Sequence, residues 1–558
     1  MTYSAPVADL ALSLSAAGHD ALRERFFPEL DASTVAAVLD AAAVFVDEQV
    51  APLNRSGDRQ GARLTSDGVV LADGFAAAYQ AFVAGGWNSL AAPEAHGGQG
   101  LTRGLASALS EMLAGANLSF SLCPMLTAGA IEALSLLGNE RQKTLVLPKL
   151  VSGEWTGAMC LTEPQAGTDL AALTCRAEPD GPGGYRLTGQ KIFITFGDHD
   201  ATDNICHMVL ARLPDAPAGV RGISLFLASK HLIGADGSLG ERNSFSVVSL
   251  EHKLGIHGSP TCVMAYDGCA AELVGEPHKG LAAMFVMMNA ARLQVGVQGV
   301  GVAEAARQLA LGYARDRRQG ATVLGSGDGP IFDHPDVRRN LMLITAKTRA
   351  ARGICLMTAV LADLAEQAEG EEAAQAAARQ MLLVPIAKAW STDVGVEAAS
   401  LGLQVHGGMG FIEETGAAQL YRDARITPIY EGTNGVQAID LIGRKLRLDE
   451  GAAMRALIAE MAQADAPGLA EGLSALSAAT EWALAHPGAD ALAGATAYLQ
   501  LAGDVIGGWA LAREAQLAGS EDCATLARFY NGQVLSGAAG LAAKVMQGAG
   551  DLTAWSGD

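Results

Sequence analysis

The chain has 558 residues, half of them apolar and only 18% charged, which is too long for one ordinary core and too apolar for disorder. Its net charge of -21 argues against nucleic acid or an anionic membrane as a main partner, since both are polyanions. The eight cysteines form no C-x-x-C pair, and their scatter reads as reduced, mostly buried thiols of a cytosolic protein.

Hydrophobic periodicity divides the chain into 1–153, 154–279, 280–448 and 449–558. From Ala32 to about Gly153, Ala/Leu-rich helical spacing dominates, broken by the turn-rich run from Ala92 to Gly100. From Glu154 the period changes to that of strands. They are expected at 185–187, 192–195, 207–212, 222–227 and 244–250, with Gly, Pro and Asp turns between them. Long amphipathic helices return from Gly280 to Leu448. Beyond Asp449 the Ala/Leu/Gly-rich chain predicts several more helices, whose Trp482, Trp509 and Trp555 require burial. The expected class is α+β, mainly α. The N-terminus lacks a basic run followed by an apolar one, and no uninterrupted apolar run reaches membrane-spanning length. Neither a secretory signal nor a membrane span is therefore expected. No Walker A, zincin or clustered metal-ligand pattern is present, so no metal is expected. Gly296-Val297-Gln298-Gly299-Val300-Gly301 lies within an apolar helical run from Met284 to Leu311. Its glycines predict close helix packing and not a dinucleotide site, which requires a strand-to-helix turn.

Tyr430-Glu431-Gly432-Thr433-Asn434-Gly435 sets one carboxylate between an aromatic ring and a glycine, in a turn between two helices. A glycine there lets the backbone approach a ligand closely. Taken alone, the stretch reads equally well as a helix N-cap cluster. Met159-Cys160-Leu161-Thr162-Glu163-Pro164-Gln165-Ala166-Gly167-Thr168-Asp169-Leu170 runs from an apolar strand into a Pro/Gly loop. Gly189-Gln190-Lys191-Ile192-Phe193-Ile194-Thr195 is β-rich, and by itself reads as an ordinary hairpin strand.

Taken together, the TEPxAGxD loop, the GxKxxIT strand, the QxxGGxG turn at Gln404–Gly410 and the YEGT turn resemble the acyl-CoA dehydrogenase family. The resemblance covers roughly residues 50 to 447. It implies an N-terminal helical domain, a middle β domain and a C-terminal four-helix bundle, with 449–558 as an additional helical domain. It also implies FAD, held between the β domain and the C-terminal helices. Met159, Leu161 and Thr162 would line the isoalloxazine ring, with Gly167 and Thr168 near the pyrophosphate. Phe193 would form an aromatic wall where many relatives carry tryptophan, and Thr195 would sit beside the reactive N5. Arg317 matches an arginine that reaches the FAD pyrophosphate of a neighbouring subunit. Gln404, Gly407 and Gly408 match the turn at the adenosine half, and Thr433 joins the cofactor set. The protein is then a homo-oligomer.

By the same resemblance Glu431 is the catalytic base. A thioester α-hydrogen is too weakly acidic for a free carboxylate; removal requires donors on the enolate oxygen and a base held against the proton. Glu431 would take that proton while a hydride passes to flavin N5, leaving trans-2-enoyl-CoA. Burial is expected to raise its pKa towards neutral. Tyr430, Gly432, Thr168, Asn289 and Arg292 match substrate contacts, with Arg292 on the CoA portion. Ser121 and Met125 fall on the helix wall that sets acyl length, although Met125 reads as well as plain core.

Stretches such as 250–261, 273–277, 284–289 and 334–339 look like long bacterial members, a group that includes 3-methylmercaptopropionyl-CoA dehydrogenases of sulfur-compound catabolism. The expected substrate is that thioester or a short- or medium-chain acyl-CoA. The expected acceptor is an electron-transfer flavoprotein, and the expected location is the bacterial cytoplasm. An oxygen-using acyl-CoA oxidase is the nearest alternative. A DNA-associated relative is remote, because residues 451–558 carry four basic residues against eleven acidic ones. In shorter relatives two dimers pack back to back through the C-terminal helices. The extension can occupy that surface, so a homodimer is expected in preference to a tetramer.

Overall fold

A computed structural model of the chain describes residues 3–325 and 327–557. Two compact units emerge, each assembled from separated segments. One comprises Phe45–Leu101 and Asn117–Ala291, the other Met1–Val44, Thr102–Ala116 and Arg292–Asp558.

A seven-stranded sheet forms the centre of the first unit. Its strands are β1 (Trp155–Cys160), β2 (Arg176–Pro179), β3 (Gly184–Thr195), β4 (Asn204–Arg212), β5 (Ile223–Ser229), β6 (Phe245–Leu250) and β7 (Thr261–Val274). They run in the order β6-β7-β3-β2-β4-β1, and β5 pairs with both β7 and β4, so the sheet closes on itself. Closure buries β5 on both faces and β4 nearly so, which explains their mostly apolar sequences. The two strands expected at 185–187 and 192–195 are one continuous strand, β3. The 14-residue β7 escaped the sequence reading because Asp267-Gly268 interrupts its pattern; register shifts at Cys262/Met264 and Asp267/Cys269 absorb the irregularity. Helix α1 (Leu118–Leu137) packs on β1. A Cβ on Gly157 would lie 2.5 Å from that of Ala130, and Gly157 N–H donates to Thr127 Oγ1 at 3.1 Å.

Long helices dominate the second unit: α2 (Gly280–Asp316, from Arg292 onward), α3 (Pro335–Gln367) and α4 (Gly370–Val405), followed by the short α5 (Asn434–Gly443). The glycines of α2 serve close packing, as their helical context predicted. A Cβ on Gly296 would sit 2.4 Å from Ala387 O, and one on Gly299 2.5 Å from Ser391 O. Fully buried Arg352 on α3 donates to Glu111 (2.6 Å) and Glu304 (3.1 Å), so its buried charge is met by two carboxylates.

The extension forms helices Ala452–Met461, Leu469–Ala485, α6 (Ala495–Ala518), Glu521–Gln533 and Ala538–Val545. Of these, α6 packs against α3, α4 and α5. A Cβ on Gly503 would lie 2.3 Å from the Trp390 ring, and Trp390 Nε1 donates to Asp504 Oδ1 at 2.9 Å. Trp509 is buried and half-buried Trp482 stacks on His486 with centroids 4.4 Å apart. Trp555 departs from the expectation: it is 77% exposed just past the short Gly550–Ala554 helix. By length and composition alone α1 and α2 could each cross a membrane, although Glu132 and Arg292 interrupt their apolar runs. Their apolar windows are 67% and 56% buried within the fold, the condition of core helices. All eight cysteines are free thiols, seven of them buried.

Candidate active site

In the first unit, the loop after β1 is strapped to β3 twice. Ile192 N–H donates to Thr162 O at 2.9 Å, and Lys191 Nζ donates to Leu161 O at 2.9 Å. Lys191 is fully buried and also donates to Glu163 Oε1 at 2.8 Å. Glu163 accepts further hydrogen bonds from Thr174 N (2.8 Å), Thr174 Oγ1 (2.8 Å), Cys175 N (3.0 Å) and Gln165 Nε2 (2.6 Å). Burial pushes this carboxyl up, but the Lys191 ammonium and the hydrogen bonds outweigh it and hold it below the ordinary value. Sequence reasoning gave Glu163 and Lys191 no role. The available signal was that the loop motif carries acids, Glu163 and Asp169, while the strand motif carries one lysine.

Around this buried pair stand the residues expected at the flavin. Met159 is buried at the end of β1, Leu161 and Thr162 are half-buried, and Gly167 and Thr168 are exposed. Phe193 has a φ of 59°, a left-handed conformation within the β3 strand, and is 59% exposed. Thr195 is half-buried opposite Thr261. A Cβ on Gly167 would meet nothing within 4 Å, so backbone is open to a ligand there. An exposed aromatic ring and open backbone are each features that suit a flat heteroaromatic ligand with a hydrogen-bonding edge. Ser121 is buried and donates its hydroxyl to Leu118 O within its own helix at 2.8 Å. Met125 packs partly buried on the core of this unit, and Asn289 is half-buried on α2.

In the second unit Glu431 occupies the turn before α5. It has a φ of 55° and Gly432 one of 85°, so two successive residues are left-handed, and for Glu431 this conformation is strained. Thr433 caps α5, its Oγ1 accepting from Val436 N at 3.3 Å. Gln437 Nε2 donates to Glu431 O at 3.3 Å, and the Tyr430 hydroxyl donates to Gln298 Oε1. The helix-cap reading is thus satisfied by Thr433, which frees Glu431 from that duty. Glu431 is half-buried, and no hydrogen bond from the described residues reaches its carboxylate. Desolvation pushes its carboxyl above the ordinary value; nearby Arg292 on α2 and Lys388 on α4 pull it partly back. Arg292 is only 6% exposed, and burial lowers its pKa. Lys388 was missed in the sequence, where it stands as a lone charge in the apolar run 382–390.

Arg317 is exposed, with its guanidinium donating to Gln319 Oε1 at 3.3 Å. Gln404, Gly407 and Gly408 are exposed as well. Tyr313 stacks on His406 at 4.4 Å between centroids, which joins the Arg317 helix end and the glycine turn into one surface. Among the described residues no group of three or more His, Cys, Asp or Glu could hold a metal ion.

Four family models match the chain in succession. They are the acyl-CoA dehydrogenase N-terminal domain at 33–154, the middle domain at 158–269, the C-terminal domain at 278–446 and the acetyl-CoA dehydrogenase C-terminal-like domain at 451–556. The chain is 48% identical over 550 residues to a 3-methylmercaptopropionyl-CoA dehydrogenase of Ruegeria pomeroyi, covering 94% of this chain and 93% of that one. The chain belongs to the acyl-CoA dehydrogenase family. Acyl-CoA dehydrogenases are FAD-dependent oxidoreductases. The acyl-CoA dehydrogenase fold is seen in Caenorhabditis elegans ACDH-11 in complex with C11-CoA, with a TM-score of 0.79 at 24% identity, covering 96% of this chain and 92% of that one. A Bacillus anthracis acyl-CoA dehydrogenase complexed with FAD aligns with a TM-score of 0.75 at 22% identity, covering 94% and 90%.

Proposed function

We propose that the protein dehydrogenates a short acyl-CoA thioester between its α and β carbons, with 3-methylmercaptopropionyl-CoA the first candidate and other short- or medium-chain acyl-CoA esters next. One observation carries the reading: Glu431 is a carboxylate with a raised pKa and, among the described residues, no hydrogen-bonded partner on its carboxylate, presented by a strained turn. A carboxylate so placed accepts a proton more readily than an exposed one. The thioether substrate is supported by the name of the 48% identical relative.

Glu431 takes the α-proton, and its backbone N–H, presented by the left-handed turn, meets the thioester carbonyl. Bound FAD supplies the acceptor for the β-hydrogen and its electron pair. Met159, Leu161, Thr162, Phe193 and Thr195 would hold the flavin ring, while Gly167, Thr168, Gln404, Gly407, Gly408, Thr433 and a neighbouring subunit's copy of Arg317 would hold the rest of the cofactor. Thr168, Tyr430 and Gly432 belong to the substrate set, Asn289 and Arg292 meet its CoA portion, and Ser121 and Met125 border the acyl chain. We assign 1–153, 154–279, 280–448 and 449–558 as the working divisions, an electron-transfer flavoprotein as acceptor, and the bacterial cytoplasm as the setting. The packing of α6 on α3, α4 and α5 supports a homodimer in preference to a tetramer; light scattering at micromolar protein should give the mass of two chains, and a mass of four defeats this.

Steady-state kinetics over a panel of acyl-CoA esters, including 3-methylmercaptopropionyl-CoA, tests the function. Turnover should require an electron-transfer flavoprotein or a dye. Rapid aerobic peroxide formation at the same rate would establish the oxidase alternative instead.

A further inference from the structure

Lys388 is fully buried on α4, in the segment that Gly296 and Gly299 draw against α2. A buried lysine normally pairs directly with a carboxylate. Here its Nζ donates to an amide oxygen, Asn434 Oδ1, at 2.9 Å. Asn434 in turn directs its Nδ2 at Ala389 O (3.0 Å), Thr392 Oγ1 (3.0 Å) and Asp393 Oδ1 (2.8 Å). The 388–393 stretch of α4 therefore grips one side chain at the first residue of α5, three positions beyond Glu431. A left-handed glutamate persists only where its surroundings over-determine it. The Asn434 clamp, the Gln437 bond to Glu431 O and the Asn434 N–H bond to Pro428 O (3.0 Å) supply that constraint.

We propose that Lys388 is a positioning residue for Glu431: through Asn434 it holds the turn that carries the base, and its buried ammonium tunes the charge on that carboxylate. This rests on the reading of Glu431 as base. The groups acting on Glu431 come from two elements, Arg292 from α2 and Lys388 from α4, and Glu431 in turn acts on Tyr430 beside it in the turn. Asp393 acts on Lys388, and Asp440 and Arg444 act on Arg292. Lys388 both clamps the turn through Asn434 and acts on its charge. Burial pushes Lys388 down to about 7, with Asp393 and Glu431 pulling the other way, so the ammonium is complete at acid pH and is lost as pH rises through neutrality.

The test uses FAD-loaded enzyme carrying Lys388→Met, which keeps length and removes charge. Isotope-edited infrared titration of the Glu431 carboxyl, with Glu431→Gln as the blank, should show its midpoint moved upward by about one pH unit. The acid limb of flavin reduction by butyryl-CoA should move with it, kcat should fall about tenfold, and KM should stay nearly constant. Lys388→Arg, which restores the cation, should return the midpoint. An unmoved midpoint in a Lys388→Met variant of normal melting temperature and FAD content overturns the proposal. If that variant does not fold, Asn434→Ala carries the test: it cuts the clamp and leaves the ammonium, so kcat should drop while the midpoint stays. Flavin reduction within twofold of wild type in Asn434→Ala overturns the clamp. Failure of the base reading is distinguishable, since Glu431→Gln would then still reduce flavin while the carboxyl titration remained measurable.

Discussion

The protein contains two glutamates that face a buried lysine, and it treats them in opposite ways. Glu163 touches Lys191 at 2.8 Å and accepts four further hydrogen bonds. Glu431 feels Lys388 and Arg292 only through space, because Lys388 spends its ammonium on Asn434. The first carboxyl is held below its ordinary value and the second is pushed above it. Direct pairing makes a carboxylate a permanent anion and a structural tie. Withholding the pair by one intervening amide leaves a carboxylate whose proton can come and go. A buried lysine beside a glutamate is thus no guide to role until the geometry of the contact is known.

The sharpest test replaces the unpaired carboxylate. Glu431→Gln should keep FAD and fold, yet lose roughly 10²–10⁴ in flavin reduction by acyl-CoA, the range of a positioned general base. Reduction within about tenfold of wild type removes the base assignment. The paired carboxylate should respond through stability instead. Glu163→Gln leaves Lys191 buried and uncompensated, a loss of about 3–5 kcal/mol, read by denaturant unfolding; a loss under about 1 kcal/mol breaks the contrast. The pH dependence carries a sign. The folded pKa of Glu163 is depressed, so its stabilisation is complete above the unfolded value of 4.5 and disappears as pH falls through the lower folded value. Glu431 is raised, so its ionisation costs stability as pH climbs past 4.5.

A third charge extends the comparison to the surface. Arg317 is exposed and contacts Gln319 through its guanidinium. Arg317→Ala should leave the melting temperature of the apoprotein unchanged and weaken FAD retention roughly tenfold, as for one lost charge-assisted contact. Equal FAD affinity in dialysis would return Arg317 to the solvated surface. The smallest effect is expected from Glu431→Gln at pH 8, where removing an unfavourable ionised group should raise Tm by roughly 1–3 °C. A lowered Tm would mean that the turn needs the charge.

Much of this was legible in the chain itself. The switch from helical to strand period near Glu154 and back near Gly280, the helical context of Gly296–Gly301 and the four ordered motifs are local patterns. Local patterns survive in sequence because backbone geometry imposes their period. The strand Thr261–Val274 was lost because bulges break period two, and Trp555 was misjudged because apolar character does not guarantee a neighbour to cover it. The site was legible in its residues and not in its relations. Lys191 lies 28 positions from Glu163, and Lys388 lies 46 from Asn434. The left-handed backbone at Glu431 and Phe193 has no signature in residue type, since neither is glycine or asparagine. Motif and period determined which groups the protein owns. Only tertiary packing decided which carboxylate would be neutralised by a lysine and which left able to take a proton, because desolvation and contact geometry depend on neighbours that the chain brings together from far apart.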